Sequence, residues 1–127
     1  MHHAVCAFLL AALVIVPSQV QPPQLQRFYE EQVRIADIEV PRLIGLLRLE
    51  PGMNMADVGA GLGAWTDRFS RWTGPIGHVY ATDVADEALA ALRDLVSREG
   101  LSNVTVIVGA ADSTNLPVAC CHASQPR

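Results

Sequence analysis

"MADVGAGLGAWT", residues 55–66, decides how this chain folds. A short, mostly apolar run ends at Val58, glycines follow at 59, 61 and 63, and helix-forming residues then resume. Glycine enters left-handed backbone freely and lets a ligand come close to the main chain. The first turn of the following helix presents unpaired N–H groups to the same place. The stretch therefore predicts a strand, a turn that faces a ligand, and a helix, in that order.

Two patterns overlap in the turn. Gly59, Gly61 and Ala64 satisfy the dinucleotide fingerprint G-x-G-x-x-G/A. Gly59, Gly61 and Gly63, with Ala60 between the first two, satisfy the G-x-G-x-G turn of nucleoside binders. A tight strand–helix turn with no ligand is the bland alternative. Asp57 bears on the choice, because a dinucleotide fold keeps an apolar residue there, whereas a carboxylate suits a cationic or amine-bearing ligand.

Downstream, the same theme repeats. "AWTDRFSRWT" is expected to be a helix with Trp65, Phe69 and Trp72 on one face, "GPIG" a turn and "HVYATDV" a second strand. "ADEALAALRDLVSREG" is a helix capped by Asp86 or a neighbour, with Leu89, Leu92 and Val96 facing inward and Gly100 stopping it. "NVTVIVG" is a third strand. Strands alternating with amphipathic helices mean an α/β, doubly wound (Rossmann-like) parallel sheet. Asp83, at the tip of the second strand and 24 residues after Gly59, is placed to accept both hydroxyls of a ribose or to cap the next helix. Asp112, just past the third strand, can meet the amino group of an adenine or simply start the "DST" turn.

Upstream, "LQRFYEEQVRIADIEV" reads as a helix outside the core, and "VPRLIGLLRL" as a second helix with Pro41 in its first turn. Beyond Gly109 the pattern fades after three strands. The fold is expected to be truncated there, with residues 122–127 an unstructured tail and 19–121 a partial domain.

"GMNMADVGAGLGAWT", "GHVYATDV" and "LSNVTVIVGAADSTNLP", in that order and spacing, resemble the first half of a class I methyltransferase that uses S-adenosylmethionine. The resemblance covers roughly residues 38–121. It implies that Gly59, Ala60, Gly61 and Gly63 pass under the methionine part of the cofactor and that Asp57 supports the same end. It further implies that Asp83 holds the ribose hydroxyls, Val84 packs on the adenine and Asp112 contacts its amino group. In this family a fourth strand begins with aspartate; here His122 stands in that place and the chain ends five residues later. The substrate side of such a site comes largely from the fourth and later strands, so no catalytic residue is assigned. The methyl acceptor, a small molecule or a protein, is left open, and residues 19–127 alone are expected to show little transferase activity. The alternatives are an NAD(P)-binding oxidoreductase fragment and a non-catalytic nucleotide-binding or interaction protein.

Composition narrows the field. The chain has 127 residues, room for one domain, and half of them are hydrophobic. All nine basic residues are arginines, scattered from Arg27 to Arg127, and the net charge is −4, so no nucleic-acid partner is expected. Cys6, Cys120 and Cys121 make no disulfide framework, since adjacent cysteines rarely pair; the last two read as ordinary loop residues. No Cys/His pairs stand at metal spacing, and no metal is expected. From Ala4 to Val16 runs "AVCAFLLAALVIV", too short to span a bilayer comfortably, so residues 1–18 are read as a signal peptide or N-terminal hydrophobic segment. The chain is then exported, periplasmic or membrane-tethered, and otherwise cytoplasmic; the membrane would be met only through an uncleaved segment.

Overall fold

In a computed structural model, residues 22–126 are described; the N-terminal apolar segment and its export reading lie outside them. The elements are α1 (Pro23–Leu47), β1 (Asn54–Val58), α2 (Ala64–Thr73), β2 (His78–Asp83), α3 (Asp86–Glu99), β3 (Val104–Val108) and β4 (Ala123–Pro126). All strand pairs are parallel, in the order β3-β2-β1-β4. β1 to β2 to β3 steps outward in one direction, and β4 returns to the other side of β1. That reversal is the switch point at which open α/β sheets bind ligands.

The fold class is the expected one, with four described strands rather than three. β4 begins inside what the sequence pattern treats as a tail. His122 starts the pairing: its N–H donates to the Asn54 carbonyl at 2.8 Å, and its Nδ1 accepts the Asn54 N–H at 3.0 Å. "ASQP" carries no β-branched residue, so nothing in its composition signals a strand.

The two helices expected before β1 are one, of 25 residues, with Pro41 in its interior. An interior proline removes a helix hydrogen bond and is unfavourable by about 3 kcal/mol. Burial outweighs it: Ala36 and Val40 are buried ahead of the proline, and Tyr29, Val33, Leu43 and Ile44, from both sides of it, pack on the same cluster. The helix therefore belongs to the core. It ends at Arg48, whose left-handed backbone (φ 51°) directs its N–H to the Gly45 carbonyl.

Met55 and Val79 receive Trp65 and Phe69 of α2 and the buried stripe of α1. Trp72, expected on the same face, is 41% exposed at the surface instead. On α3 the buried residues are Leu89, Leu92 and Leu95, with Val96 half-buried. Asn103 seals the end of α2 from the β3 lead-in: its Nδ2 donates to the carbonyls of Ser70 (2.9 Å) and Gly74 (2.8 Å). Burial, with Asp67 nearby, raises the Tyr29 phenol, and the Asp67 hydrogen bond raises the Arg71 guanidinium.

Cys120 and Cys121 form a disulfide with each other, against the expectation of free loop residues. The Cys120 N–H bonds to the Pro117 carbonyl at 3.2 Å and Ala119 is left-handed (φ 52°), so the chain turns sharply into the pair. Among the described residues, no helix is long and apolar enough to cross a membrane, and no group of three His, Cys, Asp or Glu could hold a metal.

Candidate cofactor cleft

The carboxyl ends of β1, β2 and β3 open into a cleft of about 390 Å³. Gly59 forms its floor, Asp83 and Val84 one side, and the 109–114 loop the other. Val84 is 63% exposed although apolar, and Asp112 is exposed on the loop. No basic residue lines the cleft among the described residues.

The glycine turn is tied down from behind. The N–H groups of Gly59 and Ala60 both donate to the Thr82 carbonyl, at 2.8 and 3.0 Å. The Gly61 N–H donates to Asp83 Oδ2 at 2.9 Å, and the Gly63 N–H to the Ala60 carbonyl at 3.0 Å. Left-handed φ angles of 74°, 57° and 89° at Gly59, Gly61 and Gly63 make this possible. Asp83 Oδ1 also accepts the N–H groups of Val84 and Ala85, at 2.8 and 3.0 Å. Asp83 thus braces both the turn and the two residues that lead into α3; the N-cap of that helix is Ala85 with no side-chain cap bond, so the cap expected at Asp86 or a neighbour is not formed.

Of the sequence-assigned residues, Gly59, Asp83, Val84 and Asp112 line the cleft. Gly61 has open space where a side chain would stand. Ala60 and Gly63 point elsewhere. The Ala60 methyl is buried with Ala81 and Leu92, and a Cβ on Gly63 would lie 2.6 Å from Leu95 Cδ2 and 2.9 Å from Leu92 Cδ2. Gly63 is glycine because α3 packs against it. Asp57 is fully buried behind the turn and accepts the Thr66 hydroxyl at 2.6 Å.

Three residues escaped the sequence reading. Thr66, buried in the first turn of α2, fixes Asp57. Thr82 backs the turn through its carbonyl, and its hydroxyl donates to the Thr114 carbonyl at 3.1 Å. Gly109 lets the loop pass: a Cβ there would stand 2.9 Å from Thr82 Oγ1. A glycine ending the "VIVG" run was the one available signal for this set.

A methyltransferase-domain family model matches residues 55–123, from the second residue of β1 to the first residue of β4. The chain belongs to that methyltransferase family. Among curated relatives, a ubiquinone/menaquinone biosynthesis C-methyltransferase of Bordetella avium is 32% identical over 82 residues, covering 65% of this chain and 27% of its own. A demethylmenaquinone methyltransferase of Listeria monocytogenes is 33% identical over 72 residues, covering 57% of this chain and 30% of its own. This methyltransferase-family chain thus spans less than a third of the length of those relatives. The crystal structure of a SAM-dependent methyltransferase from Aquifex aeolicus superposes with a TM-score of 0.64 at 27% identity, covering 78% of this chain and 52% of that one.

Proposed function

We propose that this chain binds S-adenosylmethionine in the cleft and serves as the cofactor-binding part of a methyltransferase. One observation carries the reading. In a dinucleotide fold the turn's N–H groups meet a pyrophosphate, but here those of Gly59, Ala60, Gly61 and Gly63 are spent inside the protein. Asp83 and Asp112 stand in the cleft and no basic residue does. Such a site repels phosphate and suits a ligand with a positive sulfonium, ribose hydroxyls and an amino-substituted base.

The donor set fits that molecule from end to end. Gly59 and Gly61 allow the methionine end close to the main chain, with Asp57 behind them setting the local charge. Ala60 and Gly63 act at one remove, by packing the turn onto β2 and α3. Asp83 accepts from the ribose hydroxyls, Val84 offers an apolar surface to the adenine, and Asp112 accepts from its amino group. When bound, the sulfonium supplies a methyl group for in-line displacement by a nucleophile. The protein's contribution to such a step is to position the donor and exclude water. The family model spans β1 to β3, the strands that border the cleft, and so bears on the cofactor more than on the acceptor.

Isothermal titration of the full chain with S-adenosylhomocysteine and with NADH tests the proposal. Binding of the first without the second is expected, and Asp83→Asn should abolish it, because an amide cannot accept on both of its arms. NADH affinity without S-adenosylhomocysteine affinity would overturn the reading.

A further inference from the structure

Thr82 is buried (2% exposed) at the end of β2, directly before Asp83, and its two polar groups reach opposite sides of the cleft. Its carbonyl accepts the Gly59 and Ala60 N–H groups at 2.8 and 3.0 Å, so it backs the floor. Its hydroxyl donates to the Thr114 carbonyl at 3.1 Å, so it ties down the far end of the loop that carries Asp112. The near end of that loop is held by the Gly109 N–H on the Asp83 carbonyl at 2.9 Å. Residues 110–115 are all exposed; Ala110 and Ser113 pair with each other, and Asn115 Nδ2 donates to the Val108 carbonyl at 2.9 Å, a tie from the far end of the loop to β3. The Thr82 hydroxyl thus links this loop to β2 through a side chain, beside the Asn115 link to β3.

We propose that Thr82 is a positioning residue for cofactor recognition: its hydroxyl sets the distance between Asp112 and Asp83, and through it the selectivity for an adenine base. The inference rests on the cofactor reading above. Gly109 is part of the same device, since a side chain there would collide with the hydroxyl that makes the link. The Thr114 carbonyl belongs to an exposed residue, so without the hydroxyl it finds water and the fold loses little. The loop then pivots on its remaining ties at Gly109 and Asn115, and the carboxylate that distinguishes an amino from a keto group on the base is no longer held at a fixed distance from Asp83.

The test uses the full chain and three variants, Thr82→Val, Thr82→Ser and Thr82→Ala. Titration with S-adenosylhomocysteine should show Thr82→Val weaker by about five- to tenfold, the loss of one hydrogen bond's worth of positioning. Titration with adenosine and inosine should show the preference for adenosine falling towards unity in the same variant, while Thr82→Ser keeps it. A purely structural role would lower the melting temperature and leave that preference intact. If Thr82→Val melts too low to assay, the Ser and Ala variants, which differ by the hydroxyl alone, carry the same comparison. Amide hydrogen exchange at Ala110 and Ser113 should accelerate in Thr82→Val without any ligand. Unchanged exchange, or an unchanged adenosine preference in a folded variant, overturns the inference. Absence of S-adenosylhomocysteine binding in the unmodified chain counts instead against the cofactor reading, and the exchange measurement still decides the role of Thr82.

Discussion

The two sides of the cleft are built on different principles. The glycine turn is part of the core: its N–H groups are paired to the main chain and to Asp83, Ala60 packs with Leu92, and Asp57 is sealed behind it on Thr66. The 109–114 loop is exposed along most of its length and rests on a few bonds at its ends. Substitutions in the turn should therefore change folding and binding together, whereas those in the loop should change binding alone. A ligand site made this way can hold the place of the reacting centre rigidly and leave recognition of the distant base adjustable.

The largest effect is expected at Gly63. A valine there must adopt φ near 89° and drive its side chain into Leu92 and Leu95. Left-handed strain and overpacking together amount to about 3 kcal/mol or more. Gly63→Val should lower the melting temperature by on the order of 10 °C in a circular-dichroism melt, with S-adenosylhomocysteine affinity lost in parallel. A variant that melts normally but fails to bind would show that Gly63 serves the ligand rather than the helix, and the contrast between the walls would lose its first support.

Thr66→Val comes next. It removes a hydroxyl from a carboxylate that has no access to water, since both residues are fully buried. A hydrogen bond of that kind contributes about 2 kcal/mol. Chemical denaturation should show the midpoint falling with an unchanged slope, and Thr66→Ser should recover most of the loss. If stability is untouched while binding falls, Asp57 faces the ligand more directly than its burial indicates.

The turn could be read in the sequence because its constraints are local. Three glycines at alternate positions after an apolar run force the backbone out of strand geometry, and Asp83 follows at the distance one helix and one strand impose. What could not be read depends on groups far apart in the chain. Thr82 matters because Thr114 lies across from it, and Gly63 because α3 packs against it; neither contact has a periodicity. Pro41 misled in the usual direction, since a proline ends a helix unless tertiary burial outweighs it, and Ala36 and Val40 before it, with Leu43 and Ile44 after it, supply that burial. β4 stayed hidden because "ASQP" carries no β-branched residue, and the pairing beside β1 begins at the Asn54 backbone and the His122 ring. Trp72 stands one residue before the end of α2 and is exposed where Trp65, seven residues earlier on the same stripe, is buried, a difference that helical spacing does not record.

Asp112→Ala should have the smallest effect on the fold and the cleanest effect on recognition. The residue is exposed in a turn closed by the main chain of Ala110 and Ser113, so its side chain is not required for the turn. A surface change of this kind leaves stability within about 0.5 kcal/mol, and the melting curve should overlay that of the unmodified protein. Affinity for adenosine should nevertheless fall about fivefold while that for inosine holds or rises, because the lost carboxylate accepts from an amino group and repels a keto oxygen. The two walls are then separable: one substitution moves the melt and the binding, the other moves the binding only. A fall in melting temperature comparable to that of Thr66→Val would mean that the loop is as much a part of the core as the glycine turn, and that the division between a rigid floor and an adjustable wall is wrong.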